Sequence, residues 1–78
     1  MLEESDTLQH LVDYLYRERK LISRLDALTT AEIFDLNSDL LEIVTLLPPG
    51  TYSRPVLCNQ LNSAIVGHGW GSTYGTVS

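Results

Sequence analysis

Pro48, Pro49 and Gly50 stand side by side, and no α-helix runs through such a triplet. Proline lacks the amide hydrogen that a helix interior needs, and its ring clashes with the preceding turn. The break divides a chain of 78 residues into two stretches of different character. All ten acidic residues lie at or before Glu42, as do Arg17, Arg19, Lys20 and Arg24. From Ile43 to Ser78, Arg54 is the only formally charged side chain. A free-standing small domain usually spreads charge over its surface. The uncharged half is therefore expected to be covered in part by the fold, by a second copy or by a partner.

The length suits one domain, and no linker divides it. The fold class expected is all-α (mainly α), a small three-helix domain. Residues 6–27 read as the first helix, with Asp6 as cap and Gln9 in a weak capping box. At helical spacing Leu8, Leu11, Val12, Leu15, Ile22 and Leu25 form one apolar stripe. Tyr14, Leu21 and Leu28 form a second strip beside it, more than one neighbour requires.

Residues 29–47 read as the second helix. Thr29 and Glu32 fit a capping box there, and Leu28 with Ile33 fit a hydrophobic staple. Its buried stripe is Ile33, Leu36, Leu40, Val44 and Leu47, with Phe34, Leu41 and Ile43 beside it. Asn37, Ser38 and Asp39 prefer caps to helix interiors, so a break near Asn37–Ser38 is allowed for. The first two helices should form an antiparallel hairpin, because only a few residues join them.

A third helix is expected over residues 54–66 and should pack across the other two. Ser53 caps it, Pro55 is tolerated in its first turn, and Gly67 is placed to stop it. Leu57, Cys58, Leu61, Ala64 and Ile65 share its apolar face. The tail, residues 67–78, is rich in glycine and aromatics and alternates in a way that suits an extended strand or short hairpin. Trp70 should cover an open end of the core.

Candidate reaction centres are weak. The glycines of "GHGWGS" follow a helix end, where carbonyls point, whereas a phosphate loop opens a helix. Cys58 and His68 could pair as nucleophile and base, but Cys58 lies on the apolar face and no orienting acid follows Glu42. No local pair of His, Cys or carboxylate stands at metal-ligand spacing. Glu32, Asp35, Asp39 and Glu42 share a helix flank that reads as solvated. The chain is expected to be no enzyme and to use no cofactor, metal or small-molecule substrate.

Binding is the better expectation. Trp70, Tyr74 and Tyr14 are candidate anchors for a partner, since buried aromatics often dominate interfaces. Arg19 projects near the apolar stripe, and Arg17, Lys20 and Arg24 form a basic stripe on the first helix. On the third helix, Arg54, Asn59, Gln60 and Asn62 could read DNA in a major groove, as in a helix-turn-helix regulator. The net charge of −5 disfavours that alternative, because phosphate contacts need bases.

One cysteine rules out an internal disulfide, and the acidic start "MLEESDTLQH" lacks the basic and apolar regions of a signal peptide. No run is long enough to span a membrane. The expectation is a cytoplasmic, non-catalytic regulator that acts by protein–protein interaction, as a homo-oligomer, most simply a dimer. Short acidic proteins of this type are common in phage and mobile elements. No motif in the chain is specific enough to name a family.

Overall fold

The computed structural model describes residues 4–78, with side chains described from Thr7 onward. The elements run α1 (Glu4–Leu15), β1 (Leu21–Ser23), α2 (Arg24–Ile33), α3 (Ser38–Thr45), β2 (Thr51–Ser53), α4 (Arg54–Gly67) and α5 (Gly71–Tyr74). The mainly α class expected from the sequence holds, but the helix bounds differ in its first half.

The helix expected over 6–27 ends at Leu15. Leu8, Leu11, Val12 and Leu15 are buried as anticipated. One turn further on, the core-facing positions would be Glu18 and Arg19. Continuing the helix would drive two charges into the core, which is costly without partners. The chain turns instead, and Ile22 reaches the core from β1. The chain is already helical at Glu4, ahead of the start expected at Asp6, and the Asp6 side chain of the anticipated capping box lies outside the described residues.

Two short strands tie the halves of the molecule together. β1 and β2 pair antiparallel, with Leu21 opposite Ser53, Ile22 opposite Tyr52 and Ser23 opposite Thr51. Each strand ends in a serine at the N-cap position of the next helix, but only Ser23 makes a side-chain cap bond, whereas Ser53 does not. Ser23 forms a complete capping box: its hydroxyl accepts from the Asp26 amide at 3.0 Å, and its own amide donates to Asp26 Oδ2 at 2.9 Å. The start expected at Thr29 is therefore wrong. Thr29 lies inside α2, and Ile33, assigned to a staple, is exposed. Arg24 leaves α2 to cap α3 from below. Its Nε donates to the Leu47 carbonyl at 2.6 Å and its Nη2 to that of Thr45 at 2.9 Å, where a cation meets the negative end of the helix.

The break allowed for at Asn37–Ser38 is present. Asn37 caps α3 through a bond from the Leu40 amide to its Oδ1 at 2.8 Å, and Asp35 makes the turn at φ 53°. Leu40, Ile43 and Val44 point inward, and the Tyr52 hydroxyl donates to the Pro48 carbonyl across the turn that follows.

α4 has the expected extent, with Pro55 in its first turn and Leu57, Cys58, Leu61 and Ile65 buried. The stop is Gly69 rather than Gly67. Gly69 sits at φ 74°, its amide donates to Val66 and the Trp70 amide to Ile65, a Schellman closure. The tail is not a strand or hairpin. Residues 71–74 form the single turn α5, and the following residues cross α4 as a strap whose Val77 is buried.

Candidate functional site

The solvent face of α4 is exposed along its length at Val56, Asn59, Gln60, Ser63 and Val66, spaced by three or four residues, and carries no charge. Leu46, at the end of α3, is exposed beside it. Ile43, Leu46, Leu47, Gln60, Ser63 and Ala64 line a shallow groove of about 260 Å³ between α3 and α4. Of the α4 residues that sequence reasoning assigned to binding, Asn59 and Gln60 are on this face. Asn62 is not. Its carboxamide donates to the Val77 carbonyl at 2.9 Å and accepts from the Val77 amide at 2.8 Å, which anchors the strap. Arg54 is also engaged internally, in an ion pair with Asp13 and a 2.9 Å bond to the Ser78 carbonyl. Burial pushes the Asp13 carboxyl up, but its bonds with Arg54 and Gln9 outweigh this and hold it below its ordinary value.

At the far end of α4 the aromatics form a shelf. Trp70 packs against the core and is half-buried, with the His68 ring 4.8 Å away and the Tyr74 ring 5.9 Å away, edge-on. The Tyr74 hydroxyl donates to Asp39 Oδ2 at 3.0 Å and accepts from Asn37 Nδ2 at 3.4 Å. Tyr74 thus joins the tail to α3, while Trp70 keeps an open edge.

A second exposed surface lies on α1 and α2, and sequence reasoning missed half of it. α2 turns its small side chains inward: Ala27, Thr30 and Ala31 are buried. Two of its large ones point out, Leu25 71% and Ile33 72% exposed, while Leu28 is partly buried against the core. Leu25 had been assigned to the buried stripe of one continuous helix; the break after Leu15 rephases it. Tyr14 is 52% exposed, its ring edge-on to Phe34 at 5.5 Å. Tyr14, Leu25 and Thr29 line a groove of about 550 Å³ whose rim carries Arg17, Glu18, Arg19 and Asp26.

The bases do not form a stripe along one helix. Arg17 and Lys20 are exposed in the turn after α1, Arg19 pairs with Asp26 at 3.3 Å, and Arg24 is occupied at the end of α3. The four acids are divided likewise, Glu32 on α2, Asp35 in the turn, Asp39 and Glu42 on α3.

The structure does not bring Cys58 and His68 together. Ten residues of helical rise separate them by about 15 Å along α4. Burial pushes the Cys58 thiol up, so it is a poor nucleophile there. The His68 ring is held by the Ala64 carbonyl at 2.8 Å through Nδ1, with Glu42 at 3.8 Å from Nε2. Among the described residues, no group of three or more His, Cys, Asp or Glu is placed to hold a metal ion. Among them too, no helix is long and apolar enough to cross a membrane.

No protein-family model matches the chain, and no curated protein or solved structure matches it either.

Proposed function

We propose that this chain is a non-catalytic regulator that acts by occupying the surface of a protein partner with the solvent face of α4. The observation that carries this reading is the lack of charge on that face from Val56 to Val66, about three helical turns, with Val66 61% exposed in the last of them. Surfaces that meet only water keep mixed charges, whereas the centres of interfaces are depleted of them. The groove beside Leu46 offers a seat for an apolar side chain, and Asn59, Gln60 and Ser63 supply neutral hydrogen-bonding groups around it. The open edge of Trp70 extends the same neutral surface.

The partner surface is correspondingly uncharged, and nucleic acid fits less well. Arg54, the one base of α4, is neutralised by Asp13. α2 and α3 are joined by a short turn, as in a helix-turn-helix unit, but the exposed side of α3 carries Asp39 and Glu42, which phosphates repel.

A photo-crosslinking residue at Ser63 tests the reading in the native host. The expected result is one dominant crosslinked protein, lost when Val66→Asp or Trp70→Ala is added. A crosslink pattern no different from one with the probe at Glu18 would remove the α4 face as the site. A mobility shift with DNA at low salt, lost in Arg54→Gln, would favour the nucleic-acid alternative.

A further inference from the structure

We infer that the α1–α2 face is a self-association surface and that its occupant is a second copy of this chain, related by a two-fold axis at Thr29. This rests on observations independent of the α4 face. α2 carries two large projecting side chains, Leu25 near its start and Ile33 at its end, and one groove, the space of about 550 Å³ beside Tyr14 and Leu25. Thr29 lies midway between Leu25 and Ile33, four residues from each and exposed. Leu25 and Ile33 are about 12 Å apart at the rise of an α-helix. When two α2 helices lie antiparallel across Thr29, Ile33 of each copy enters the groove beside Leu25 of the other. Such self-complementarity is what a closed two-fold dimer requires.

The charges agree with the same arrangement. The groove end of α2 is rimmed by Arg17, Glu18, Arg19 and Asp26, of which Arg19 and Asp26 pair with each other, and exposed Lys20 in the same turn leaves this end with one positive charge in excess. The Ile33 end carries Glu32 and Asp35, both exposed, and no base. The antiparallel pairing sets the basic end of one copy against the acidic end of the other, twice over. A parallel pairing would oppose like charges. Complementary potentials of this kind fix register and orientation. A standard interface removes about 800 Å² from each partner, roughly a sixth of the 4795 Å² that this chain exposes. The contact extends from α2 across the turn after α1, and it leaves the face of α4 open for another protein.

Sedimentation equilibrium of the wild-type chain at micromolar to submillimolar concentrations is expected to show a monomer–dimer equilibrium. Ile33→Lys should weaken the dimer by about tenfold or more, because it replaces an apolar knob with a charge facing Arg17 and Arg19. Ile33 is exposed, so the thermal midpoint of the monomer should not fall. Arg17→Glu and Glu32→Arg should each weaken association, and the double variant should recover it. Thr29→Cys, with Cys58→Ala, should crosslink to itself under mild oxidation, whereas Ser63→Cys should not. A monomer at every concentration, or a dimer indifferent to Ile33→Lys and to the charge exchange, would overturn the inference. Neither result bears on the Ser63 crosslink, so this surface and the α4 face stand or fall separately.

Discussion

Asn62 and Val77 exchange two hydrogen bonds, the carboxamide of one donating to and accepting from the backbone of the other, as a neighbouring strand would. This pair holds the strap over α4 and seats the buried Val77 side chain. Gln9 and Arg54 add bonds to Ser78 from the α1 side.

Removing the carboxamide should therefore free the strap. Asn62→Ala leaves two backbone groups of Val77 to find water and uncovers an apolar side chain. Loss of stability by about 1–3 kcal/mol is expected. Hydrogen exchange at the Val77 amide should rise toward the unprotected rate while that of Leu61 changes only with global stability. An unchanged Val77 rate would mean that its side chain alone seats the strap.

Ser23→Ala removes half of the α2 capping box and should cost about 1 kcal/mol, measurable by urea unfolding. The same box makes stability acid-sensitive. The Ser23 amide, donating to the Asp26 carboxylate, holds its pKa below the ordinary value despite some desolvation, with help from the Ser23 hydroxyl and Arg19. The unfolded chain then binds the proton more readily than the folded one. The contribution is present above the ordinary value of 3.8 and is lost as pH falls through the depressed one. Asp26→Asn should flatten the stability profile below pH about 4. A profile that keeps its full slope would assign the acid sensitivity elsewhere, to Asp13 first.

Tyr16 gives the opposite limb. Its hydroxyl donates to the Tyr52 carbonyl at 2.8 Å, and burial pushes its pKa up to about 12. The folded state then holds the phenol proton more tightly than the unfolded one. This contribution is complete below pH 10, the ordinary value, and is lost as pH rises toward 12. Phenolate absorbance should show the Tyr16 step near pH 12, and Tyr16→Phe should abolish that step and lower stability by about 0.5–1.5 kcal/mol.

Cys58, buried in α4 with its thiol held protonated, should react with a disulfide reagent only when the helix opens. The rate should rise with urea in parallel with unfolding. Rapid labelling of the folded chain would show that the thiol is reachable without unfolding.

Much of the second half was legible because its determinants are local. Ser53, Pro55 and the spacing of Leu57, Leu61 and Ile65 are enough to start α4, continue it and choose its inner face. In the first half the apolar period runs from Leu15 to Ile22 with charges between, and that gap at Glu18 and Arg19 was the readable sign of a break. Thr29 with Glu32 fits the usual capping-box signature locally, whereas the box that forms, at Ser23, has Asp26 in place of its Glu or Gln and was missed. The uncharged face of α4 was visible in part, through Asn59 and Gln60, but the internal roles of Asn62, Tyr74 and Arg54 were not, because Val77, Asp39 and Asp13 are distant in sequence.

By itself, then, the sequence determined the helix break at Pro48–Gly50, the extent of α4 and the division of charge between the halves, and it allowed for the break at Asn37. Each depends on atoms within a few residues of one another. Tertiary structure decided that Ser23 and not Thr29 begins α2, since the extended chain before Ser23 exists only by pairing with Tyr52 and Ser53. It also decided which side of α2 faces out. A helix carrying small residues on one side and large ones on the other can bury either, and packing against α1 and α3 seats Ala27, Thr30 and Ala31 inside, which puts Leu25 and Ile33 in water.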